Sequence, residues 1–183
     1  EDVVYESSSP TSSLTIHNGT YGTVKVQQQD ANKTQGTVSI NGGTVATVTT
    51  GGDQIANATA NVTVTGATVG TVGKNTSAGT MSIVNSKVGN GSSITPDSNI
   101  IMLNCKDETG ATLPNVQPSG EDGSFLVGTT IYESLSDALT NAPDGGTIYL
   151  TKDQVTIDSA LFTINKNVTI AGPGIIDATV QAG

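Results

Sequence analysis

The stretch Ile16-His-Asn-Gly-Thr-Tyr-Gly-Thr-Val24 recurs in changed form as Ile40-Asn-Gly-Gly-Thr-Val-Ala-Thr-Val48 and as Val64-Thr-Gly-Ala-Thr-Val-Gly-Thr-Val72. The copies follow one another at a constant interval, and a fourth, degraded copy begins after a shorter interval at Ile83. A period in the twenties, built from Val, Ile, Thr, Gly and Asn, is typical of a β-solenoid. In that architecture each lap of short strands buries its apolar face only when another lap stacks on it. We therefore predict an all-β chain made of parallel β-solenoid rungs.

The shared interval also predicts which side chains stack. Ile16, Ile40 and Val64 should form one column inside the solenoid, and the valines that close the three repeats should form another. Alternation of apolar and polar residues along each strand sends the polar neighbours outward. Asn and Gly between the strands suit sharp corners, because they tolerate a left-handed backbone.

Composition narrows the classes of function. The chain has 183 residues, 22 glycines, 3% aromatic residues and a net charge of -9, with no arginine. An acidic surface without arginine argues against nucleic acid as a partner, since phosphate binding needs a basic footprint. The sequence has no apolar run long enough to predict a membrane span. The single cysteine, Cys105, follows an apolar run and is predicted to be a small buried residue rather than a reactive thiol.

The composition changes along the chain and predicts four parts. Residues 1–13 are a Ser-rich tail, residues 14–95 are the repeat solenoid, residues 96–124 connect two units, and residues 125–183 are the capped start of a second β-helix. The connecting part contains turn residues and the apolar run Ile100–Leu103, which we interpret as a strand covered on both faces.

The second unit is predicted to open with one short capping α-helix near 134–142. Ser134 and Asp137 have the spacing of a capping box, and apolar residues follow on one helical stripe. Four short strands are predicted after the helix. In the first and the last of them, Ile148 matches Val168 and Leu150 matches Ile170, an interval of about one solenoid lap. A helix before such rungs covers the end of the stacked core.

Three motifs of this unit carry a resemblance to a known family. They are Tyr132-Glu-Ser-Leu-Ser-Asp-Ala-Leu139, Ala142-Pro-Asp-Gly-Gly-Thr-Ile-Tyr-Leu150 and Ile164-Asn-Lys-Asn-Val-Thr-Ile-Ala-Gly172. Together they resemble the opening of pectate-lyase-like right-handed β-helices, in the version found in surface, adhesin-like proteins of Gram-positive gut bacteria. The resemblance implies a capping helix, a tight Asp-Gly turn and the first rungs. The same opening precedes lyases, hydrolases, epimerases and inert stalks, so it implies architecture rather than activity.

The threonine pairs of the repeats are the candidate binding residues. Stacking would align them in two ladders along the solenoid, which we take as a possible surface for binding a glycan or a protein. Ice binding is a distant third interpretation, because ice-binding solenoids usually present Thr-x-Thr on one flat strand, whereas these pairs are three residues apart and are expected on different sides of a pleat. The ladder residues are Thr20, Thr23, Thr44, Thr47, Thr68 and Thr71.

Other polar groups give weak signals. Asp30 and Asp53 lie close to one lap apart and would share a metal only if they stacked, and solvated corners are the simpler interpretation. The acidic turn at residues 120–123 lacks the ligand pattern of an EF-hand and would at most bind calcium weakly. His17 is the only histidine, so it forms neither a triad nor a zinc site by itself. We predict no catalytic residues, no metal and no cofactor.

These observations favour a non-enzymatic, extracellular adhesin-like or scaffold protein of the cell surface. The start of the chain, Glu1-Asp-Val3, is typical of a segment whose export signal has been removed. The main alternative is a fragment of a carbohydrate-active β-helix enzyme, a polysaccharide lyase or a glycoside hydrolase, with catalytic rungs beyond residue 183. The sequence indicates no ligand identity and no oligomeric state.

Overall fold

A computed structural model describes residues 1–6, 12–27, 37–50, 61–74, 80–90, 94, 100–118, 122–157, 164–172 and 175–178. The chain divides into two compact units, Glu1–Ser119 and Gly120–Gly183. The described residues are mostly β-strands in parallel sheets and include one α-helix. The predicted all-β solenoid architecture is therefore confirmed. The division between the units lies inside the predicted connecting segment 96–124.

Unit 1 is a solenoid of two five-stranded parallel sheets. Sheet A has the order β1-β3-β5-β7-β9, and sheet B has the order β10-β8-β6-β4-β2. One rung is therefore one strand of sheet B, a tight turn and one strand of sheet A. The strands are β1 Val3–Glu6, β2 Ser13–His17, β3 Thr20–Gln27, β4 Thr37–Asn41, β5 Thr44–Thr50, β6 Asn61–Thr65, β7 Thr68–Lys74, β8 Met81–Val84, β9 Lys87–Val88 and β10 Ile100–Leu103.

The sequence repeat sets the register of the rungs. Ile16 lies opposite Ile40, which lies opposite Val64, and the shorter last interval then brings Ile83 opposite Val64. The closing valines Val24, Val48 and Val72 pair in the same way in sheet A. Most of these side chains are fully buried in one apolar core. Both predicted columns are confirmed, and stacked rungs about 4.8 Å apart bury them continuously.

Each rung passes from sheet B to sheet A through a turn whose first residue is left-handed. Its φ lies between 50° and 81°, a conformation in which asparagine and glycine are favoured. These turn residues are Asn18, Gly42, Gly66, Asn85 and Asn104. In the last two rungs the Asn104 side-chain amide donates to the Asn85 side-chain oxygen at 2.7 Å, so the turns themselves form a ladder.

The strands of sheet A bend in their middle. Val45 and Val48 are both fully buried although they are three residues apart, which unbroken alternation does not allow. Ala46, between them, drops out of the register with the rungs on either side. The position of Ala46 takes small residues because the backbones of neighbouring rungs approach closely there. A Cβ atom added at Gly70 would lie 2.7 Å from the Ala46 carbonyl oxygen.

The N-terminal segment differs from the prediction. Val3–Glu6 is a strand that pairs with β3, with Val3 opposite Val24 and Val4 opposite Lys25. The prediction of a tail over residues 1–13 is therefore wrong for these residues, because Val3 and Tyr5 pack against the apolar core. Ser13 belongs to β2, and residues 7–11, which include most of the serines, lie outside the described part.

The C-terminal edge of unit 1 is covered by its own chain. After β10 the chain turns and runs back antiparallel, with bridges from Thr112 to Lys106 and from Val116 to Met102. The Met102 and Val116 amides each donate to the other residue's carbonyl at 2.9 Å. Pro114 lies in this return segment and has no amide hydrogen to offer to a further strand. The return segment thus protects the last rung from pairing with another chain.

Unit 2 contains a four-stranded sheet of order β12-β11-β13-β15 and the pair β14-β16. Strands β11 and β12 form an antiparallel hairpin on β13, and the pairs β13-β15 and β14-β16 are parallel. The elements are β11 Phe125–Val127, β12 Thr130–Tyr132, α1 Leu135–Asn141, β13 Gly146–Leu150, β14 Gln154–Ile157, β15 Val168–Ala171 and β16 Ile175–Ala178.

The predicted helix is present and begins as its sequence indicates. The Ser134 hydroxyl accepts from the Asp137 amide at 3.0 Å, and the two side chains lie 2.7 Å apart. Leu135, Ala138 and Leu139 are buried and pack with Phe125 and other strand residues. The capping helix therefore covers the apolar side of the strands.

Two details of the predicted strands change. Ile148 lies opposite Ile170 and Gly146 lies opposite Val168, so the predicted match of Ile148 with Val168 is wrong. The error arose because similar Ile and Leu residues at alternate positions fit a register shifted by two residues equally well. Of the strand predicted at 161–164, residues 161–163 lie outside the described part, and Ile164 is not in a strand.

The rung motif of unit 2 holds the end of the helix. The Lys166 ammonium group donates to the Thr140 and Ala142 carbonyl oxygens at 3.0 and 2.7 Å. The Asn167 amide donates to the Asp144 carboxylate at 2.8 Å, and the Gly145 amide donates to the Asn167 carbonyl at 2.7 Å. A cation at the C-terminal carbonyls complements the helix dipole and satisfies groups that the helix itself leaves free. This contact explains a lysine in that motif.

Candidate binding surface

The first threonine ladder is a continuous exposed column on sheet A. Thr20, Thr44 and Thr68 are opposite one another on successive rungs, and all three are exposed. The column continues beyond them with Lys87 opposite Thr68 and Lys106 opposite Lys87. Both lysines are exposed. The ladder is therefore uncharged over three rungs and cationic over the next two.

The second threonine ladder lies on the same strands, beyond the bend. Thr23, Thr47 and Thr71 are in register, and all three are half-buried. We expected the two members of a threonine pair on different sides of a pleat. That expectation is wrong, because the bend turns the strand so that Val45 and Val48 are both inside and the threonine before each lies outside the core. The six ladder residues therefore belong to one outer surface.

A second polar surface, on sheet B, was not singled out from the sequence. The outward positions of β2, β4 and β6 are all hydroxyl, amide or imidazole side chains, and none is buried. The Thr63 hydroxyl donates to the Ser39 hydroxyl of the neighbouring rung at 3.1 Å. The nine residues are Ser13, Thr15, His17, Thr37, Ser39, Asn41, Asn61, Thr63 and Thr65. The signal for this surface was present in the alternation that predicted the inner columns, since every second residue of these strands is polar.

The same outer columns of sheet B become buried on the last two rungs. Ser82 and Val84 on β8, and Ile101 and Leu103 on β10, are at most 3% exposed. All four residues of each strand are buried. The prediction that Ile100–Leu103 is covered on both faces is confirmed. Sheet B therefore offers a polar outer face only on the three repeat rungs.

The structure describes some of the isolated polar candidates and gives each its own surroundings. His17 is exposed at the end of β2. Asp30 and Asp53 lie outside the described residues, as do two residues of the acidic turn, Gly120 and Glu121. Asp122, in that turn, pairs with Lys152 at 2.8 Å, and a hydrogen bond and the charge of Lys152 lower the pKa of the Asp122 carboxyl.

Cys105 is buried, as predicted. It occupies an inward position just after the turn, in the column of Ala67 and Ser86, and its thiol donates to the Leu103 carbonyl at 3.4 Å. Burial raises the pKa of the thiol, which keeps it protonated, and backbone contacts with Ser86 and Leu103 partly oppose this rise. The thiol packs within the apolar core of unit 1.

The described residues contain no group of three or more His, Cys, Asp or Glu side chains that could hold a metal ion. The helix within this part of the chain is not long and apolar enough to cross a membrane. One cavity of about 270 Å³ opens where the return segment leaves the last rungs. Its lining is mostly apolar, with the Asn90 amide as the polar side chain. The lining residues are Val88, Gly89, Asn90, Ile94, Met102, Leu113, Pro114 and Val116.

Comparisons of this chain with family models, with curated proteins and with solved structures found no match. A functional proposal therefore depends on the fold and on the polar surfaces of the two sheets.

Proposed function

We propose that this chain is a non-enzymatic scaffold of the adhesin-like type, which works outside the cell and binds a neutral glycan or a protein along an exposed face of unit 1. The proposal rests on one observation above all. Polar columns run along the outer side of both sheets, and over the three repeat rungs they are in register. A polar surface of this kind offers hydrogen bonds at a fixed spacing without strong electrostatics.

The regular spacing suits a long partner. Hydroxyl and amide groups recur about every 4.8 Å across the rungs of both sheets and about every 6.7 Å along a strand of sheet B. A flexible chain that lies on this surface can add many weak hydrogen bonds, since the stacked rungs hold the donors and acceptors in place before binding. Sheet A and sheet B both present such a surface, and the threonine ladder of sheet A is the one that ends in lysines.

Matched triple variants identify the face that binds. Thr20→Val, Thr44→Val and Thr68→Val remove the hydroxyls of the sheet A ladder and keep the β-branched shape. Thr15→Val, Ser39→Ala and Thr63→Val remove the hydroxyls at three outward positions of sheet B with little change in side-chain shape. Binding is measured on a glycan array and by pull-down of cell-surface proteins, with thermal melts to verify folding.

We expect one triple variant to lose binding while the other keeps it, and we expect affinity to change little between low and physiological salt. A strong loss of binding with salt would indicate charges rather than these uncharged columns. If neither the glycan array nor the pull-down detects a partner, the result would favour a spacer that binds no ligand.

An assay of polysaccharide cleavage tests the alternative that the chain belongs to an enzyme. Turnover of a plant or host polysaccharide above a buffer blank, abolished by a point substitution in this chain, would replace the scaffold proposal with a carbohydrate-active enzyme.

A further inference from the structure

The threonine ladder of sheet A continues into a pair of lysines. Lys87 lies opposite Thr68, and Lys106 lies opposite Lys87. Thr112, in the return segment, lies opposite Lys106 on the other side. All four side chains are exposed. Two ammonium groups therefore project from neighbouring rungs, whose backbones are about 4.8 Å apart, and a hydroxyl group lies on either side of them.

The part of the chain that the structure describes does not neutralise this pair. Neither ammonium group makes a hydrogen bond or an ion pair with a described residue. The Glu108 carboxylate lies over Gly89 instead, where an added Cβ atom would be 2.9 Å from its oxygen. The Asp107 carboxylate accepts hydrogen bonds within its own turn. Like charges directly opposite each other repel, so a bound anion would relieve a strain that the chain itself leaves.

We propose that Lys87 and Lys106 bind a sulfate or phosphate ester carried by a glycan. This inference rests on the proposed binding along sheet A: uncharged sugars lie on the threonine ladder, and the ester lies where the glycan passes the lysines. Such an ester has three free oxygens, so it can accept from both ammonium groups and from a flanking hydroxyl. A carboxylate has only two oxygens and satisfies fewer of these donors.

The charge of the chain makes the lysine pair selective. The net charge is -9, so an anionic glycan is repelled by most of the molecule and attracted at this pair. Sugars on the ladder bind through uncharged hydrogen bonds and should respond little to salt. The contribution of the ester comes from exposed charges, which salt screens. The affinity of an esterified glycan should therefore fall toward that of the uncharged glycan as the salt concentration rises.

Dextran, carboxymethyl dextran, dextran sulfate and dextran phosphate test the proposal, since they share one backbone and differ in the charged group. Calorimetry with the full chain compares polymers of equal length and equal, low charge density. We expect one of the two esters to bind most tightly at low salt, at least about threefold more tightly than dextran. The better of the two identifies the ester. Binding of carboxymethyl dextran as tight as that of both esters would overturn the proposal, and so would equal binding of all four polymers.

A double variant tests the two lysines themselves. Lys87→Thr combined with Lys106→Thr removes both charges and gives these rungs the residue that the ladder carries elsewhere. It should reduce binding of the ester polymer to that of dextran, and circular dichroism verifies the fold. Lys25→Thr combined with Lys152→Thr is the matched control, because it changes the net charge equally and leaves the ladder intact. Equal losses in the two double variants would overturn the proposal, since binding would then follow net charge alone.

Failure of this inference is distinguishable from failure of the proposed function. The ladder variant with Thr20→Val, Thr44→Val and Thr68→Val keeps both lysines. If it binds the ester polymer as tightly as the unchanged chain does, the result contradicts binding along the ladder of sheet A. If an array glycan binds in a manner that depends on the ladder, but no ester strengthens binding, the lysine site is wrong and the proposed function stands.

Discussion

Unit 1 and unit 2 are both built from parallel rungs, but different kinds of contact hold them. In unit 1 the same inner positions recur on every repeat rung, so Val48 meets Val24 on one side and Val72 on the other. In unit 2 the contacts occur once: a capped helix, a hairpin and the Lys166 side chain at the helix end. Stability in unit 1 is therefore shared among equivalent neighbours, whereas in unit 2 it depends on particular residues.

The largest effect is expected from a charge inside the repeat columns. Val48→Asp places an unpaired carboxylate in a fully buried position between two rungs. It should lower the free energy of unfolding by at least about 4 kcal/mol and abolish the cooperative unfolding of the repeat. Denaturant melts and amide exchange of the repeat strands measure this loss.

The control for this variant is Thr44→Asp on the exposed ladder of the same strand. It should cost about 1 kcal/mol or less. Equal losses for the two variants would show that the assignment of inner and outer columns is wrong. The half-buried Thr47 should give an intermediate result.

The next effect concerns the single-copy contacts of unit 2. Lys166→Met keeps a long apolar side chain but removes the two hydrogen bonds to the Thr140 and Ala142 carbonyls. We expect a loss of about 2 kcal/mol in the stability of unit 2, since these bonds come from a charged donor. Amide exchange at the end of α1 reports it. Lys152→Met removes an exposed ion pair with Asp122 and an exposed hydrogen bond to the Asp122 carbonyl, and it should have a smaller effect because solvent screens both contacts. Equal losses of stability for Lys166→Met and Lys152→Met would contradict the importance of the Lys166 contact for unit 2.

A buried hydroxyl in unit 1 should respond in the opposite direction. Thr50 is fully buried at the end of β5, and its hydroxyl has no hydrogen-bond partner among the residues that the structure describes. Thr50→Val keeps the shape and removes the unsatisfied group, so the free energy of unfolding should rise by about 1 kcal/mol. Thr49→Val, at the neighbouring half-buried position, should give no such gain. A destabilised Thr50→Val variant would mean that the hydroxyl is satisfied.

The smallest effect is expected at the turn that starts the return segment. The Asp107 carboxylate accepts from the Thr109 hydroxyl at 2.7 Å, and from the Thr109 and Ala111 amides at 2.9 Å. The Thr109 hydroxyl bond first, and then the backbone bonds, lower the pKa of Asp107. A carboxyl whose pKa is lowered by folding contributes stability above its unfolded pKa, and this contribution is lost as the pH falls through the folded pKa.

Thr109→Ala should therefore raise the pKa of Asp107 toward the ordinary value for an aspartate, as measured by an NMR titration of the carboxyl carbon. An unchanged pKa would contradict the assigned cause.

The accuracy of the predictions from sequence also differs between the two units. The constant interval between the repeats gave the register of unit 1 correctly, because the interval itself states which residues are neighbours. In unit 2 the Ser134 cap was also predicted correctly, since its partner Asp137 is three residues away. The strand offset was wrong, since alternating Ile and Leu residues fit more than one register. The contact of Lys166 with the helix end was missed because it occurs once, and no local pattern links residues so far apart in the chain.

The predictions for the candidate binding surface were correct only in the part that depends on the repeat interval. The threonine ladder was predicted from its interval, and its exposed column Thr20, Thr44 and Thr68 is in register. The orientation of the second ladder was wrong because the bend at Ala46 depends on close backbone approach between rungs, which composition does not reveal. The polar face of sheet B was overlooked although the alternation of β4 and β6 contains it.

The sequence by itself determined the solenoid, its inner columns and the helix start, because these depend on periodicity and on neighbours along the chain. Only the tertiary structure decided where the strands bend, that the return segment covers one end of unit 1, and that Ile170 stays exposed on β15. The reason is physical. Burial of a side chain depends on which residues pack against it. Those residues are often distant in the sequence and follow no periodic pattern that would identify them.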